Sequence, residues 1–417
     1  MELPYVSDSM GIVHPICVAR GRNAEVWDEQ GRHYVDFIGG IGVLNLGHCH
    51  PAVVSAAAEQ LTQLTHSAFN ALPHRGYLAL LEALQSFVPV DYPLTVMLTN
   101  SGAEATENAL KLARGFTGRQ AVIAFDGGFH GRTLATLSLN GKVTPYKQGL
   151  GSLPGPTYHV PFPSADGGVS AETSLAALER LFEVELPANE VAAIIVEPVQ
   201  GEGGFRLLDR EFAQKLRTLC DHHGIVLIMD EIQSGFGRTG SAFAFPHLDI
   251  EPDLLLMGKS MAGGLPLAAV AGRGPIMNAL PKGGLGGTFS GNPVACAAAL
   301  AVIREMHATG FATWGEHIAS RLEASHARWQ ASGCFPMLGA LTGIGAMRGI
   351  IFEDTPQTSG CQHLARLLRE ARQRGLLLMP SGRHKNVLRL LMPLTIEAEV
   401  LDQGLERLEQ ALTALAP

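Results

Sequence analysis

The chain has 417 residues, which is too long for one ordinary hydrophobic core and predicts at least two domains. Hydrophobic residues make up 46% and charged residues 17% of the chain, so the composition excludes a disordered protein. The net charge of −8, without any run of Lys or Arg, argues against a nucleic-acid-binding surface. We therefore expect a folded protein with no nucleic-acid partner.

The cysteines and the N-terminus bear on the compartment. The 6 cysteines form no CxxC pair, which is typical neither of a zinc site nor of a disulfide framework and fits a reducing cytosol. The first ten residues lack the basic and apolar regions of a secretory signal. The longest apolar run, roughly residues 293–303, is too short to span a bilayer. We expect a cytoplasmic protein with no metal site and no membrane partner.

The first 50 residues are predicted to form a small separate unit. Two short strands, Val26–Asp28 and His33–Phe37, flank the turn Glu29–Arg32. The glycine-rich passage Gly39–Pro51 follows them. Its glycines and histidines indicate either a loop near a ligand or a flexible connector.

Short apolar runs bounded by polar residues are typical of strands buried on both faces of a parallel sheet. Such runs occur at Val96–Thr99, Ala121–Phe125, Ala192–Val196, Ile225–Met229, Leu254–Met257 and Leu267–Gly272. The stretch Val387–Leu391, in the C-terminal part of the chain, contains Arg389. Helical segments are predicted at Ala52–Thr65, Tyr77–Phe87, Ala295–Ala312 and Glu397–Leu415. Residues 145–168 are rich in Pro and Gly and are predicted to be a surface loop.

Two of the predicted strands end on residues that could carry chemistry, at the sheet edge where α/β proteins collect functional groups. Asp230 follows Ile225–Met229, and Lys259 follows Leu254–Met257 after a single glycine. Pyridoxal phosphate requires such a pair, because a lysine forms its Schiff base and an aspartate partners its pyridinium nitrogen. The alternative is a strand-end acid and a surface lysine, both common in α/β proteins.

The strand Val96–Thr99 is followed by a helix start that could bind an anion. Ser101 with Glu104 three residues later is a capping-box pattern. Gly102 and Ala103 leave the N–H groups of the first turn unobstructed, and the helix dipole favours negative charge there. We assign this turn to the cofactor phosphate, with a plain capped helix as the alternative.

Other strand ends offer further candidates. Phe129 could cover a flat cofactor ring, with His130 adjacent to it, and Arg132 is a planar cation suited to binding a carboxylate. Glu197 directly follows the predicted strand Ala192–Val196 and starts a passage of polar residues and glycines. Thr288 lies among glycines that expose the backbone.

The chain resembles the class III, fold-type I aminotransferases, most closely the bacterial 4-aminobutyrate aminotransferases. Eight motifs occur in the family's order: GGIGVLNLGH, SGAEATENALKLAR, FHGRT, IIVEPVQGEGGF, MDEIQSGFGRTG, GKSMAGGLPLA, GGTFSGNP and NVLRLLMPLT. The resemblance implies an α/β fold with a mostly parallel seven-stranded sheet in a large pyridoxal-phosphate-binding domain, residues 51–312. It also implies a small α+β domain built from both termini, residues 1–50 and 313–417.

The resemblance assigns roles to individual residues. Lys259 resembles the Schiff-base lysine, Asp230 the partner of the pyridine nitrogen and Gln233 the neighbour of the ring hydroxyl. Thr288 resembles the threonine that reaches the phosphate of the partner subunit, which implies a homodimer or a dimer of dimers with shared active sites. The cofactor-binding set is thus Ser101, Gly102, Ala103, Phe129, His130, Glu197, Asp230, Gln233, Lys259 and Thr288. The substrate-binding set is Ile41, Asn70, Arg132, Glu202 and Arg389.

The chain departs from the family pattern at three positions. Asn70 stands where a glutamine is expected, and Thr342 interrupts the RGxG that usually precedes GAM. Phe129 stands where a tyrosine is frequent. The first two positions lie near regions that could face the substrate, so they bear on its chain length and not on the reaction type.

The implied reaction transfers the amino group of an ω-amino acid to 2-oxoglutarate by a ping-pong mechanism, with 4-aminobutyrate the first donor and 5-aminovalerate the next. One alternative is another class III enzyme: an ornithine, acetylornithine or broad ω-amine aminotransferase, an aminomutase or a racemase. A second is a non-catalytic binding or regulatory protein on the same fold. Lys259, Asp230 and Thr288 together argue against the non-catalytic protein. The pairing of Glu202 with Arg389 favours an ω-amino acid aminotransferase.

Overall fold

A seven-stranded sheet lies at the centre of the chain in the computed structural model, which describes residues 5–166 and 168–415. The strands of this part of the chain are β1 (Val18–Arg22), β2 (Glu25–Asp28), β3 (His33–Asp36), β4 (Leu94–Thr99), β5 (Ala121–Phe125), β6 (Thr157–Val160), β7 (Val191–Val196), β8 (Val199–Gln200), β9 (Arg206–Leu207), β10 (Val226–Asp230), β11 (Leu254–Met257), β12 (Ala268–Arg273), β13 (Leu338–Ile344), β14 (Met347–Phe352), β15 (Leu376–Leu377), β16 (Met379–Ser381) and β17 (Val387–Leu390).

Helices cover the sheet and connect its strands. They are α1 (Gly39–Gly42), α2 (Pro51–Gln63), α3 (Arg75–Phe87), α4 (Gly102–Thr117), α5 (Leu134–Leu139), α6 (Ala171–Val184), α7 (Arg210–His223), α8 (Gly274–Met277), α9 (Pro293–Thr309), α10 (Phe311–Ala331), α11 (Gly360–Gln373) and α12 (Ala398–Thr413). Short 3₁₀ helices occur at Ala188–Glu190, Phe245–Leu248 and Lys259–Ala262.

The central sheet has the strand order β4-β12-β11-β10-β7-β5-β6. Strand β12 is antiparallel to both of its neighbours, and the other pairs of this sheet are parallel. Every residue of β5, β7, β10 and β11 is buried, as expected for parallel strands covered by helices on both faces. This confirms the predicted α/β fold with a mostly parallel seven-stranded sheet.

The prediction of a surface loop over residues 145–168 is wrong in part. Strand β6 lies within it and pairs in parallel with β5 at the edge of the sheet. This strand has only four residues with prolines close by on either side, so the composition of the whole stretch concealed it. An edge strand needs pairing along one side only, which suits a segment rich in proline.

The capping of α4 differs from the predicted capping box in one bond. The Ser101 hydroxyl accepts a hydrogen bond from the Glu104 backbone N–H at 3.3 Å, as predicted for an N-cap. The Glu104 carboxylate accepts from the backbone N–H of Asn100 at 2.8 Å, one residue before the position that a capping box uses. The helix start is therefore capped by Ser101, and Glu104 orders the turn that precedes it.

The N-terminal strands pack with the C-terminal third of the chain. Strand β15 pairs in parallel with β3 in the sheet β1-β2-β3-β15. Val35 and Phe37 belong to the same buried cluster as Leu364, Leu388 and other residues between 318 and 415. The domain boundaries at residues 50 and 312 stay a prediction. Residues 1–4 and 416–417 of the predicted small domain lie outside the described residues.

Arg238, in the loop after β10, connects distant parts of the chain. Its buried guanidinium donates through Nε to Asn45 Oδ1 at 3.0 Å and through Nη1 to the carbonyls of Met392 at 2.7 Å and Ala346 at 3.3 Å. Burial lowers the pKa of Arg238 to about 9. One side chain thus holds the loop after Asp230 against segments from both ends of the sequence.

None of the helices in the described ranges is by itself long and apolar enough to cross a membrane. Residues 293–308 and 313–331 pass that test of length and composition only when taken together as a bent pair. Within the same ranges, no group of three or more His, Cys, Asp or Glu side chains is arranged to hold a metal ion.

Candidate active site

A cavity of about 480 Å³ opens where the strands of the central sheet reach their carboxyl ends. Most of the predicted site residues line it: Ile41, Ser101, Gly102, Ala103, Phe129, His130, Arg132, Glu197, Glu202, Asp230, Gln233 and Lys259. A second cavity, of about 670 Å³, shares Arg132 and Glu202 with the first and includes Arg389. The fold therefore brings residues from strand ends far apart in sequence to one place.

Asp230 is the last residue of β10, and Lys259 follows the neighbouring parallel strand β11. The register pairs Asp230 with Leu256, so the two strands deliver both side chains to the same cavity. Asp230 is buried, and its carboxylate accepts from the His130 ring at 2.7 Å and from the Ile232 backbone N–H at 3.1 Å. These bonds fix the carboxylate in the cavity wall.

His130 is held in turn by Asn140. The His130 backbone N–H donates to Asn140 Oδ1 at 2.7 Å, and Asn140 Nδ2 donates to the Gly131 carbonyl at 2.9 Å. Burial opposes the charged imidazole, but the hydrogen bond and charge of Asp230 outweigh it and raise the pKa of His130. Asn140 is completely buried and was not predicted from the sequence, because nothing in its neighbourhood marks it as a support for the site.

Lys259 stands in an unusual backbone conformation. Its φ is +45°, in the left-handed region that residues other than glycine rarely adopt. Such a conformation costs on the order of 1–3 kcal/mol and persists where the surrounding structure imposes it, often at functional sites. Desolvation in the cavity lowers the pKa of Lys259, although the charges of Asp230 and Glu197 oppose that shift. The amine is therefore easier to deprotonate than that of an ordinary lysine.

The start of α4 forms one wall of the cavity. Gly102 and Ala103 line it at the positive end of a 16-residue helix. Gly102 packs so closely on Ile232 that a Cβ at this position would lie 2.7 Å from Ile232 Cδ1. The close approach brings the first backbone N–H groups of α4 into the cavity wall, where an anionic group could accept from them.

Glu197 and Gln233 complete the wall beside Asp230. The Glu197 carboxylate accepts from the backbone N–H groups of Phe129 at 2.9 Å and Gly201 at 3.1 Å. Burial raises the pKa of Glu197 to about 7 against the charge of His130. Gln233 Nε2 donates to the Ile41 carbonyl at 3.3 Å, and Gln233 Oε1 is buried without a hydrogen-bond partner among the described residues. A bound group with a donor would satisfy that oxygen.

Glu202 and the buried Arg389 form an ion pair where the two cavities meet. Arg389 Nη1 donates to Glu202 Oε1 at 2.6 Å, and Arg389 is 2% exposed. Burial would raise the pKa of Glu202, but the charge and hydrogen bond of Arg389, with a hydrogen bond from Tyr146, hold it below its usual value. Arg389 Nε is buried and has no partner in the described parts of the chain, so this guanidinium retains a free donor.

Tyr146 belongs to the site and was not predicted. Its hydroxyl donates to Glu202 Oε2 at 3.1 Å, and the guanidinium of Arg132 lies over its ring with Cζ 5.2 Å from the ring centroid. Tyr146 falls in the stretch that was predicted to be a surface loop. An aromatic residue in a segment rich in Pro and Gly was the available signal, because such a side chain usually packs against something.

Thr288 and Asn70 do not line the cavities described above. Both are exposed in the single chain, and Asn70 lies against Gly286, two residues before Thr288. Thr342, one of the departures from the family pattern, is buried and donates to the Gly204 carbonyl at 3.0 Å. The role of Thr288 at the phosphate of a partner subunit therefore stays a prediction, as does the contact of Asn70 with substrate.

The residues present fit pyridoxal phosphate. The cavity combines an amine of lowered pKa, a fixed buried carboxylate, an amide oxygen without a partner and a helix N-terminus for a phosphate. Each of these matches a different part of the cofactor: its aldehyde, its ring nitrogen, its hydroxyl and its phosphate.

Comparison with known proteins gives the same result. The family model for class III aminotransferases matches residues 6–412. A 2-aminoadipate transaminase of Pseudomonas putida is 64% identical over 415 residues, covering 100% of each chain. A 5-aminovalerate aminotransferase of the same organism is 44% identical, covering 99% of this chain and 96% of its own. A 4-aminobutyrate aminotransferase of Escherichia coli is 44% identical, covering 96% of this chain and 94% of its own.

A solved structure agrees with these relatives. An amine transaminase from an uncultivated Pseudomonas species, in its pyridoxal-phosphate-bound form, matches with a TM-score of 0.90 and 27% identity, covering 100% of each chain. The family model and these relatives confirm the resemblance found in the sequence, including its likeness to bacterial 4-aminobutyrate aminotransferases. They add a likeness to 5-aminovalerate aminotransferases. The chain belongs to the class III aminotransferases, and its cofactor is pyridoxal phosphate.

Proposed function

We propose that the chain is a 2-aminoadipate:2-oxoglutarate aminotransferase. The supporting observation is the 2-aminoadipate transaminase that is 64% identical over the whole chain, against 44% for the relatives named for 5-aminovalerate and 4-aminobutyrate. The sequence alone put 4-aminobutyrate first and 5-aminovalerate next. The more similar relative moves 2-aminoadipate ahead of both.

The two arginines of the site suit such a donor. 2-Aminoadipate carries one carboxylate on the carbon that bears the amine and a second at the far end of the molecule. Arg132 and Arg389 both line the larger cavity, and a guanidinium binds a carboxylate through paired hydrogen bonds. We assign the carboxylate next to the amine to Arg389 and the distal one to Arg132. Glutamate and 2-oxoglutarate have the same two carboxylates, so one site would serve both half-reactions.

The Glu202–Arg389 pair favours an ω-amino acid, 4-aminobutyrate or 5-aminovalerate, as the second candidate donor. These molecules have no carboxylate beside the amine, so the guanidinium of Arg389 would be buried without a partner when one of them is bound. That arrangement costs several kcal/mol unless a carboxylate neutralises it. Glu202 supplies such a carboxylate at 2.6 Å. With glutamate or 2-aminoadipate bound, Glu202 would have to move aside.

The chain's own side chains would perform the proton transfers. Pyridoxal phosphate, when bound, supplies an electron sink for the negative charge that develops on the amine-bearing carbon. Lys259 would carry the cofactor and, once released, act as the base that moves the proton of that carbon, for which its lowered pKa is suited. Asp230, oriented by His130, would keep a proton on the ring nitrogen. Gln233 would accept from the ring hydroxyl through its free Oε1.

Phosphate binding and ring packing complete this assignment. The N–H groups of Gly102 and Ala103, after the capping residue Ser101, would bind the phosphate, and Phe129 would cover the ring. We further propose a homodimer or dimer of dimers, in which Thr288 reaches the phosphate of the partner subunit. The resemblance to the family supports this assembly, and the exposure of Thr288 in the single chain fits it.

A panel of amines tests the proposal. With 2-oxoglutarate as acceptor, 2-aminoadipate should give a higher kcat/KM than any other donor in the panel. The other donors are β-alanine, 4-aminobutyrate, 5-aminovalerate, 6-aminohexanoate, ornithine and acetylornithine. A clear preference for 4-aminobutyrate or 5-aminovalerate would select the second candidate. Fastest turnover with ornithine or acetylornithine would overturn both, because each carries a nitrogen substituent on the carbon next to its distal carboxylate, which neither candidate donor has.

A further inference from the structure

Tyr146 contacts two residues assigned to the substrate, Glu202 and Arg132, and one assigned to the cofactor ring, Phe129. Its hydroxyl donates to Glu202 Oε2 at 3.1 Å. Its ring lies under the guanidinium of Arg132, with Cζ 5.2 Å from the centroid, and its centroid is 5.2 Å from that of Phe129. Glu202 pairs in turn with Arg389 through its other oxygen. Tyr146 therefore lies between the two arginines assigned to the substrate carboxylates.

We propose that Tyr146 is a positioning residue that holds Glu202 on Arg389 and so sets the preference between amines with and without an α-carboxylate. The inference rests on the proposed function, because it concerns the carboxylate that Arg389 would bind. It adds a residue that decides how readily the Glu202–Arg389 pair opens.

The geometry of Glu202 gives the reason. Arg389 bonds its Oε1 and Tyr146 bonds its Oε2, so both bonds break when Glu202 makes room for a substrate carboxylate. The bond on Arg389 is replaced at once by the substrate carboxylate. The bond from Tyr146 has no such replacement. It therefore opposes the opening that glutamate and 2-aminoadipate need and leaves amines without an α-carboxylate unaffected.

The Tyr146 hydroxyl remains a donor in this contact. Burial, together with the charge of Glu202, raises the pKa of Tyr146 to about 12, although Arg132 opposes that shift. The hydroxyl is therefore protonated at neutral pH and attracts the carboxylate. The contacts of its ring with Arg132 and Phe129 do not involve the hydroxyl. Removing the oxygen alone should leave the ring in place, which makes Tyr146→Phe a clean substitution.

The test measures single-turnover rates of the holoenzyme against glutamate concentration. A hydrogen bond to a charged group typically corresponds to a change on the order of ten-fold in an equilibrium constant. Tyr146→Phe should therefore lower the glutamate concentration at half-maximal rate roughly ten-fold, while the maximal rate changes little. Where 5-aminovalerate reacts, its half-saturation should not shift. Tyr158→Phe, on strand β6 and outside both cavities, is the matched control and should change neither value.

A second background separates this role from a structural one. In Glu202→Ala there is no carboxylate to hold, so adding Tyr146→Phe should have no further effect on glutamate. An unchanged half-saturation in the single variant, or the same shift in both backgrounds, would overturn the inference. If the unsubstituted enzyme reacts with neither glutamate nor 2-aminoadipate, both the proposed function and this inference fail. If it reacts with them but Tyr146→Phe does not shift the glutamate concentration at half-maximal rate, the proposed function is retained and only the role of Tyr146 is rejected.

Discussion

Replacing Glu202 by alanine should separate the two kinds of amine that this site could accept. Arg389 is 2% exposed, and its bond to Glu202 is 2.6 Å long. Removing one partner of a buried ion pair typically costs about 3–5 kcal/mol. The Glu202 side chain is 23% exposed, so water can replace part of the lost interaction and the lower end of that range applies. A cost of about 3 kcal/mol corresponds to roughly a hundred-fold change in rate or binding.

The loss should fall on only one half-reaction. With 4-aminobutyrate or 5-aminovalerate nothing else neutralises Arg389, so the half-reaction of Glu202→Ala should slow roughly a hundred-fold. Glutamate and 2-aminoadipate bring their own α-carboxylate and should react at least as well as with the unsubstituted enzyme. Arg389→Ala should do the reverse and weaken glutamate and 2-oxoglutarate most. Single-turnover spectra with each amine measure both effects, because each half-reaction interconverts two cofactor forms.

The refuting result is equally specific. If both variants lose the same factor in both half-reactions, Glu202 and Arg389 form a fixed structural ion pair and do not exchange partners during the reaction. Arg389 would then not bind an α-carboxylate, and Tyr146 would not set the preference between amines with and without one.

Three further predictions concern the cofactor, the assembly and pH. Lys259→Ala should lose turnover yet still bind cofactor noncovalently, so borohydride should no longer fix it to the protein; normal turnover would exclude the assigned role. Inactive Lys259→Ala subunits mixed with inactive Thr288→Asp subunits should regain partial activity as hybrid dimers, and no recovery despite proven subunit exchange would argue against a shared site. Burial raises the pKa of Glu231 from 4.5 to about 7, against hydrogen bonds from Ser234 and two backbone N–H groups. The folded state therefore keeps a proton that the unfolded state has released, so the free energy of unfolding should fall as pH rises through this interval. Urea unfolding should show a shallower pH dependence for Glu231→Gln, and equal slopes would contradict the assignment.

The strand ends of this site could be predicted from two simple rules. Short uncharged runs form buried strands, and parallel strands end at the same edge of the sheet. The uncharged run Leu254–Met257 is strand β11 without any change of boundary, and the run before Asp230 is β10 within one residue. Asp230 and Lys259 come at the ends of these two parallel strands, so both were expected at the same edge of the sheet. The helix start at Ser101 was predictable for a similar reason, because capping depends on neighbours in sequence.

Other parts of the site depend on contacts that no local pattern encodes. Tyr146 reaches it through a loop rich in Pro and Gly, which gives no period from which a direction could be inferred. Asn140 reaches it from the end of α5, where nothing in the local sequence indicates its contact with His130. Glu202 and Arg389 are 187 residues apart and were paired only through the family resemblance. Thr288 is exposed in one chain, so its predicted contact requires a second copy.

The bonds of Arg238 set a condition on biosynthesis. Its acceptors on Asn45, Ala346 and Met392 lie 193, 108 and 154 residues away in the chain. While the ribosome has not yet released residue 392, the loop that follows Asp230 lacks one of its anchors, even though Asp230 and Lys259 have both been made. A nascent or prematurely terminated chain would thus carry the chemical groups of the site without holding them in place. Completion of the site, and with it productive cofactor binding, should therefore be a post-translational event.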